Sequence, residues 1–396
     1  MKILEINSVC GIRSTGRIAI EIAELYQKRG HIVYVAYGRE KVPSRYERIS
    51  KRIGSEFSVR LNGLESRIFD NDGFTARRAT RSFLKWAEEY NPDILWLHNL
   101  HGYYINVQML FKWIKTRPNM KVFWLLHDCW SFTGHCSHYC AVNCEKWKTE
   151  CNRCVQKKEY PKSIIFDNSR VNYNRKKEAF RGVANLVLLT PSRWLANEVK
   201  KGFLKDYDVL VRPNRIDTSV FKPTKSNFKE RFGIQDKTMI LAVAQSWDEK
   251  KGFSFLLELS NKLGSMFVIV MIGLSKKQIA SLPNTIIGLE KTNNLVELAE
   301  IYSAADVFVN PTIEDTFPTV NIEAVACGTP VVTNNTGGSP EVAGNECGRV
   351  VYSKTIDEFI EKIQECLCCN YTEDQCRNVG LRFSKQVERE EPFPLE

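Results

Sequence analysis

The chain has 396 residues, 43% of them hydrophobic, a length too great for one ordinary core and suited to two α/β domains of somewhat under about 200 residues each. Its net charge of +10 is unevenly held: residues 1–190 carry 32 Lys+Arg against 18 Asp+Glu and the remainder 24 against 28, which points the first half toward an anionic partner such as lipid headgroups, a phosphorylated acceptor or nucleic acid. The longest apolar run, near 266–273, falls short of the roughly 18 residues of a membrane span, and Met1-Lys2 leads straight into a strand holding Glu5, so neither a spanning helix nor a signal peptide is expected, and a cytoplasmic protein is.

Residues 2–7 read as a strand and 8–16 as a glycine-bearing loop. Residues 17–29 read as a helix with Ile18, Ile22 and Leu25 at helical spacing, stopped by Gly30, and 31–36 as a second strand. This is the opening βαβ of a Rossmann-like domain. The loop Gly11-Ile-Arg-Ser-Thr-Gly16 nearly spells a P-loop, but Arg17 stands where the lysine belongs and Ile18 where the magnesium-binding Ser/Thr belongs, which excludes an NTPase of that kind. Residues 42–80 are polar, basic and weakly periodic, and read as loops with a short helix. A helix over 83–90, ended by Pro92, precedes the buried strand 93–98. A helix over 107–115 precedes the buried strand 121–126. His98 ends the first of these strands and His127-Asp128 follow the second, so two imidazoles aim at the carboxyl edge of one sheet, where open α/β sheets hold ligands.

Six of the thirteen cysteines fall between Cys129 and Cys154. A reducing compartment makes clustered thiols metal ligands before disulfides. Cys151-x2-Cys154 has knuckle spacing, and with Cys136 and Cys144 it would complete a tetrahedral zinc, structural because four protein ligands leave no open position; Cys140, His135 and His138 are alternates.

Residues 160–181 read as a basic helix and 185–189 as the strand that closes the first sheet. A helix over 192–201 and a linker around 209–223 lead to the second domain. There a strand over 239–244 runs into the loop Gln245-Ser-Trp-Asp-Glu-Lys250-Lys251-Gly252 and a helix over 253–263. A strand over 267–272, a strand and loop over 284–290 and a helix over 295–303 follow. Next come a strand over 307–309, the break Asn310-Pro311, the acidic loop Glu314-Asp315-Thr316-Phe317-Pro318-Thr319, a helix over 321–327 ended by Gly328, and a buried strand over 329–333. Such a unit places amides at a helix N-terminus, where they can hold phosphate, and leaves carboxylates free for sugar hydroxyls. A nucleotide sugar needs both. A strand over 347–351 and a helix over 356–369 complete the domain, and the charged segment from Thr372, without a clear helix, is expected to cross back to the first domain.

Asp315-x7-Glu323, followed by Ala-Val-Ala-Cys-Gly-Thr-Pro-Val-Val and Thr-Gly-Gly-Ser-Pro-Glu341, resembles the donor-site signature of the retaining glycosyltransferase family 4, the glycosyl transferases group 1. The family usually has glutamate where Asp315 stands, and Glu314 lies one residue earlier, so either carboxylate is a candidate. The resemblance implies the GT-B fold, an α/β arrangement of two Rossmann-like parallel-sheet domains facing across a cleft, here 1–205 and 206–375 with a tail over 376–396. It implies transfer of a sugar from a nucleoside-diphosphate sugar to a glycan or lipid-linked oligosaccharide acceptor, with retention and without a catalytic metal, in capsule, exopolysaccharide or lipopolysaccharide synthesis. Glu323 would bind the ribose diol and Asp315 or Glu314 the sugar hydroxyls. Lys251, with Lys250 beside it and the amides near Thr319 and Val320, would hold the diphosphate. The family's arginine is replaced by Gln245. His127, with Asp128, belongs to the loop near the reacting sugar, and Gly16, Arg17 and His98 to the cleft on the acceptor side. A basic first half also suits an enzyme peripheral to the anionic inner face of a membrane. Two other readings remain: a sugar-nucleotide epimerase of the same fold, which needs no acceptor, and a zinc-stabilised nucleic-acid-binding protein, which leaves the acidic loop without a purpose and makes nucleic acid an unexpected partner.

Overall fold

The computed structural model describes residues 1–390. The chain divides into two compact units, Met1–Arg212 and Pro213–Glu396. The division falls later than the expected 205/206 because a short strand, Val209–Val211, adds to the first sheet before the chain leaves it.

The first unit is built on seven parallel strands: β1 (Lys2–Asn7), β2 (Ile32–Tyr37), β3 (Ser50–Arg52), β4 (Ile94–Leu97), β5 (Lys121–Leu125), β6 (Leu186–Thr190) and β7 (Val209–Val211), in the order β3-β2-β1-β4-β5-β6-β7. Continuous apolar runs such as Ile94-Leu-Trp-Leu97 suit strands covered by helices on both faces. The order reverses direction at the β1/β4 pair, where Ile6 faces Leu97, and the carboxyl ends there open the crevice in which such sheets bind ligands. Beneath it, Trp124, Phe111 and Phe180 pack ring on ring at 4.5–5.3 Å. Aromatic groups of this size each bury roughly 150–250 Å² and anchor the core.

Four sequence readings shift here. The first helix begins at Arg13, so Gly16 lies inside it instead of in the loop. Residues 42–80 hold a 3-10 turn, Ser44–Ile49, then β3, and a full helix, Glu56–Phe69, capped by reciprocal bonds between Ser55 and Ser58. The periodicity of that helix is hard to see because its fully buried residues are Gly63 and Ser66 while Phe57, Leu61 and Leu64 face solvent. The basic helix occupies only Ser169–Phe180. β6 is not the last strand of its sheet, since β7 pairs beyond it.

The second unit has six parallel strands: β8 (Thr238–Val243), β9 (Phe267–Ile272), β10 (Ile286–Leu289), β11 (Val307–Asn310), β12 (Val331–Asn334) and β13 (Gly348–Val351), ordered β10-β9-β8-β11-β12-β13. Its direction reverses between β8 and β11, joined by the pairs Val307 with Ile240 and Phe308 with Leu241. The segment expected to be an irregular tail forms a helix, Glu373–Leu381, started by a Thr372/Gln375 capping box. It packs on helix Thr319–Ala326 of the same unit. Gly380 lies so near helix Thr319–Ala326 that a Cβ there would stand 2.5 Å from the Ala326 Cα. Arg377 donates to the carbonyls of Thr218 and Ala326, both at 2.8 Å, and Thr218 and Ser384 join hydroxyls at 2.7 Å. The end of the expected tail, 391–396, lies outside the described residues. No helix among the described residues is long and apolar enough to cross a membrane.

Candidate functional site

In the second unit the loops after β8 and β11 meet at the reversal point and are fastened to each other. Ile313 donates its amide to the Lys250 carbonyl at 2.9 Å. Gly252 adopts φ +86°, and a Cβ on it would strike the Pro311 ring at 2.6 Å, so only glycine lets the two loops close. The base of the acidic loop is pinned by Asn334, which donates to the carbonyls of Pro311 and Thr312 at 2.7 and 3.2 Å, and by the Asn310–Asn321 amide pair at 2.8 Å.

Two ion pairs result. Lys251 Nζ lies 2.9 Å from Asp315 Oδ2, and Lys250 Nζ lies 2.8 Å from Glu314 Oε2. The carboxylates differ in access: the Glu314 side chain is 5% exposed and the Asp315 side chain 22%. Asp315 also accepts the Phe317 amide through Oδ1 at 3.1 Å, which turns the chain into helix Thr319–Ala326. Thr319 and Val320 open that helix, where amides have no carbonyl of an earlier turn to meet. Pro318 precedes them and contributes no N–H. Glu323, one turn in and half-buried, accepts a bond from the Tyr302 hydroxyl at 3.0 Å. Gly337, at φ +55°, covers the loop so closely that a Cβ would fall 1.7 Å from the Asp315 carbonyl oxygen.

In the first unit, the carboxyl ends of β1, β4 and β5 bring together a buried hydrogen-bonded chain. Glu5 Oε2 lies 3.1 Å from His98 Nε2, and His98 Nδ1 lies 3.1 Å from His127 Nε2, with the two imidazoles stacked at 5.4 Å. Glu5 is wholly buried, and its Oε1 has no hydrogen-bond partner among the described residues. A carboxylate there would strand one charged oxygen, and burial raises the Glu5 carboxyl well above its ordinary range, against the lowering effect of Arg212. Burial likewise holds His98 well below the ordinary histidine value, and His127 at about 4 despite the opposing pull of Asp128. Burial thus favours the neutral form of all three groups. With Glu5 protonated and donating to His98 Nε2, His98 would donate through Nδ1 to His127 Nε2 and His127 would carry its own hydrogen on Nδ1. A second chain lies beside the first: His101 bonds Asp128 at 2.7 Å and the Tyr160 hydroxyl at 2.8 Å. Burial opposes the Asp128 charge, but His101 outweighs it and brings the carboxyl to about 2. His98, Asn99, His101, His127, Asp128 and Trp130 line one pocket.

Residues 224–382 match the family model for glycosyl transferases group 1. The putative colanic acid biosynthesis glycosyl transferase WcaC of Escherichia coli strain K12 is 24% identical over 384 residues, 91% of this chain and 90% of WcaC. The matched stretch lies in the second unit, and the chain is a glycosyltransferase similar to WcaC along most of its length. Among solved structures, Anabaena Alr3699/HepE in complex with UDP superposes with a TM-score of 0.68 at 15% identity, over 98% of each chain. Sucrose-phosphate synthase from Thermosynechococcus elongatus superposes at 0.70 and 14% identity, over 98% of this chain and 96% of that one. These likenesses establish the GT-B fold for this glycosyltransferase.

Of the residues singled out in the sequence, the structure gathers Lys250, Lys251, Glu314 and Asp315 at one loop junction, with Thr319, Val320 and Glu323 on the helix that the junction feeds. It gathers His98, His127 and Asp128 around one pocket. Gly16 is buried where a Cβ would meet Val9 and Gly11 at 3.0–3.2 Å, which gives it a packing reason, and Arg17 is exposed on its helix.

Among the described residues no group of three or more His, Cys, Asp or Glu is placed to hold a metal ion, the expected zinc ligands Cys136, Cys144, Cys151 and Cys154 included. The free thiols of Cys136 and Cys154 are hydrogen-bonded to each other, and Cys151 accepts the Gly134 amide at 3.2 Å. Aromatic packing also organises this segment. Phe132 and Tyr139 crowd Trp147 at 5.1 and 4.8 Å, and the fully buried Lys176 donates to the carbonyls of Trp130 and Thr133 at 2.7 and 3.1 Å. Sequence reasoning passed over Glu5, noted only as an interruption in a strand, and Tyr302. A carboxylate in the apolar run Ile3-Leu-Glu-Ile6 was the available signal.

Proposed function

We propose that this glycosyltransferase moves a sugar from a nucleoside-diphosphate sugar to a glycan or lipid-linked oligosaccharide acceptor at an anionic membrane surface. Configuration at the anomeric carbon is retained, no metal takes part in the chemical step, and the work belongs to capsule, exopolysaccharide or lipopolysaccharide synthesis. The observation that carries this reading is the junction in which Lys251 and Lys250 meet Asp315 and Glu314 at the mouth of the helix bearing Glu323. Support comes from the name of WcaC and from the UDP held by the Anabaena protein.

In this mechanism the diphosphate draws the ammonium groups of Lys251 and Lys250 toward itself, together with the amides of Thr319 and Val320. That frees Asp315, the more accessible carboxylate, to accept from the sugar hydroxyls, while Glu323 accepts from the ribose diol. The bond from the anomeric carbon to the phosphate oxygen breaks, and the acceptor oxygen bonds that carbon on the same face. The acceptor's proton passes to the departing phosphate oxygen. Charge developing on the leaving group is met by groups already in place, which is where a preorganised site gains most. His127, with its hydrogen on Nδ1, donates to an oxygen of the sugar being transferred.

Incubating the protein with a panel of nucleotide sugars tests the reading, with release of nucleoside diphosphate and protection against heat unfolding as readouts. At least one donor is expected to protect and to turn over only when an acceptor or water receives the sugar. Conversion of a donor into its epimer without any acceptor would overturn it.

A further inference from the structure

Helix Glu56–Phe69 is built inside out. It rests on the unit through Gly63 against the Tyr103 ring, buried Ser66 and half-buried Val59, while its bulkier apolar residues Phe57, Leu61 and Leu64, at helical spacing of four and three, are 70, 51 and 54% exposed. An ordinary surface helix turns its apolar stripe to the core. Beside its carboxyl end runs the segment 164–166, whose Ile164, Ile165 and Phe166 are also at least half exposed. That segment is held in place: Ile164 donates to the Arg67 carbonyl at 2.7 Å, Phe166 donates to the Ile68 carbonyl at 3.0 Å, and the Phe69 and Phe166 rings stack at 5.7 Å. The result is one fixed apolar patch of the kind that monomeric proteins seldom leave to water.

The charges around it choose the occupant. Arg60 and Arg67 flank the stripe on the helix, Lys162 precedes the segment, and Lys157 bonds the Ile165 carbonyl at 3.1 Å, within a half of the chain that holds 32 Lys+Arg against 18 Asp+Glu. Glu56, bonded to Arg60, and Glu65 lie at the stripe's margins. Aromatic and branched tips ringed by guanidinium and ammonium groups fit the boundary between headgroups and acyl chains of an anionic bilayer. We propose that this face docks the protein on an anionic lipid surface by inserting Phe57, Leu61, Leu64 and the 164–166 segment. The proposal deepens the reading of a membrane-surface acceptor and rests on it for its purpose, but vesicle binding is measured without donor or acceptor, so the failure of one leaves the other standing.

The test is co-sedimentation of the full chain with vesicles of phosphatidylglycerol mixed into phosphatidylcholine, and with phosphatidylcholine alone. The wild type is expected to bind the anionic vesicles, less so in high salt. Combined Phe57→Ser, Leu61→Ser and Leu64→Ser is expected to weaken binding at least tenfold while the melting temperature and the turnover of a soluble acceptor stay unchanged. Val296→Ser, an exposed apolar position of the second unit, is expected to bind as the wild type does. Equal vesicle binding by the triple variant, or no binding by the wild type, would overturn the proposal. So would a wild-type dimer in light scattering that the triple substitution dissociates, since a second copy would then cover the face.

Discussion

His98 Nδ1 stands 3.1 Å from His127 Nε2, so the hydrogen that His98 carries decides which nitrogen of His127 keeps its own. Behind His98, Glu5 sets that choice. Glu5→Gln preserves a neutral group able to donate to His98 Nε2, and is expected to hold turnover within about threefold. Glu5→Leu leaves a buried imidazole nitrogen without a partner, a cost of roughly 1–3 kcal/mol that corresponds to about a fivefold to hundredfold loss of kcat. Steady-state kinetics with nitrogen-15 spectra of the histidines check both, the spectra reporting whether His127 carries its hydrogen on Nδ1. Wild-type kinetics in Glu5→Leu would show the chain to be structural only.

The same histidines set a pH window. His127 is held at about 4 in the folded protein and His98 well below its ordinary value, whereas in the unfolded chain both titrate near the ordinary 6.5. Between those limits the unfolded state binds more protons, so stability falls as pH descends from about 6.5 toward 4. The melting temperature is expected to drop across that interval, and less steeply in His127→Asn. A melting temperature flat from 6.5 to 4 would contradict the burial-driven shift.

The proposed mechanism gives Asp315 and Glu314 different duties. Asp315→Asn keeps the shape of the loop and removes a charged acceptor, with an expected loss of about 1.5–3 kcal/mol of transition-state binding, roughly tenfold to a hundredfold in kcat/KM, and little change in melting temperature. Glu314→Gln takes the buried partner from Lys250 and is expected to lower the melting temperature while changing kcat/KM less than Asp315→Asn does. The reverse order of the two effects would move the sugar-binding role to Glu314.

Gly337→Ala tests how tightly the acidic loop is held. The added methyl would overlap the Asp315 carbonyl at a position with φ +55°, so the loop must move. Donor protection in thermal unfolding is expected to disappear, while Gly264→Ala, where a Cβ meets nothing within 4 Å, leaves it intact.

The two sheets and the junction of the loops after β8 and β11 were legible because their signals are local. Continuous apolar strands announce a buried parallel sheet, and the Asp315-x7-Glu323 spacing with Gly328 and Pro330 lies within one stretch of chain. What escaped depends on partners distant in sequence. Glu5 acquires its meaning from His98, 93 residues away. Helix Glu56–Phe69 defeated periodicity because its stripe faces outward, and helix Glu373–Leu381 was lost among charges because it buries Cys376, Val379 and Gly380 against elements it does not adjoin in sequence. The cysteine spacing suggested a metal set, whereas the aromatic residues around Trp147 and the buried Lys176 supply the packing of that segment.

The most direct measurement is nucleoside-diphosphate release from a panel of nucleotide sugars by the wild type, Glu323→Ala and Lys251→Ala. Release by the wild type from at least one donor, reduced tenfold or more in each variant at an unchanged melting temperature, is the predicted result. Wild-type release by both variants would contradict the placement of the donor on the second unit's loop junction.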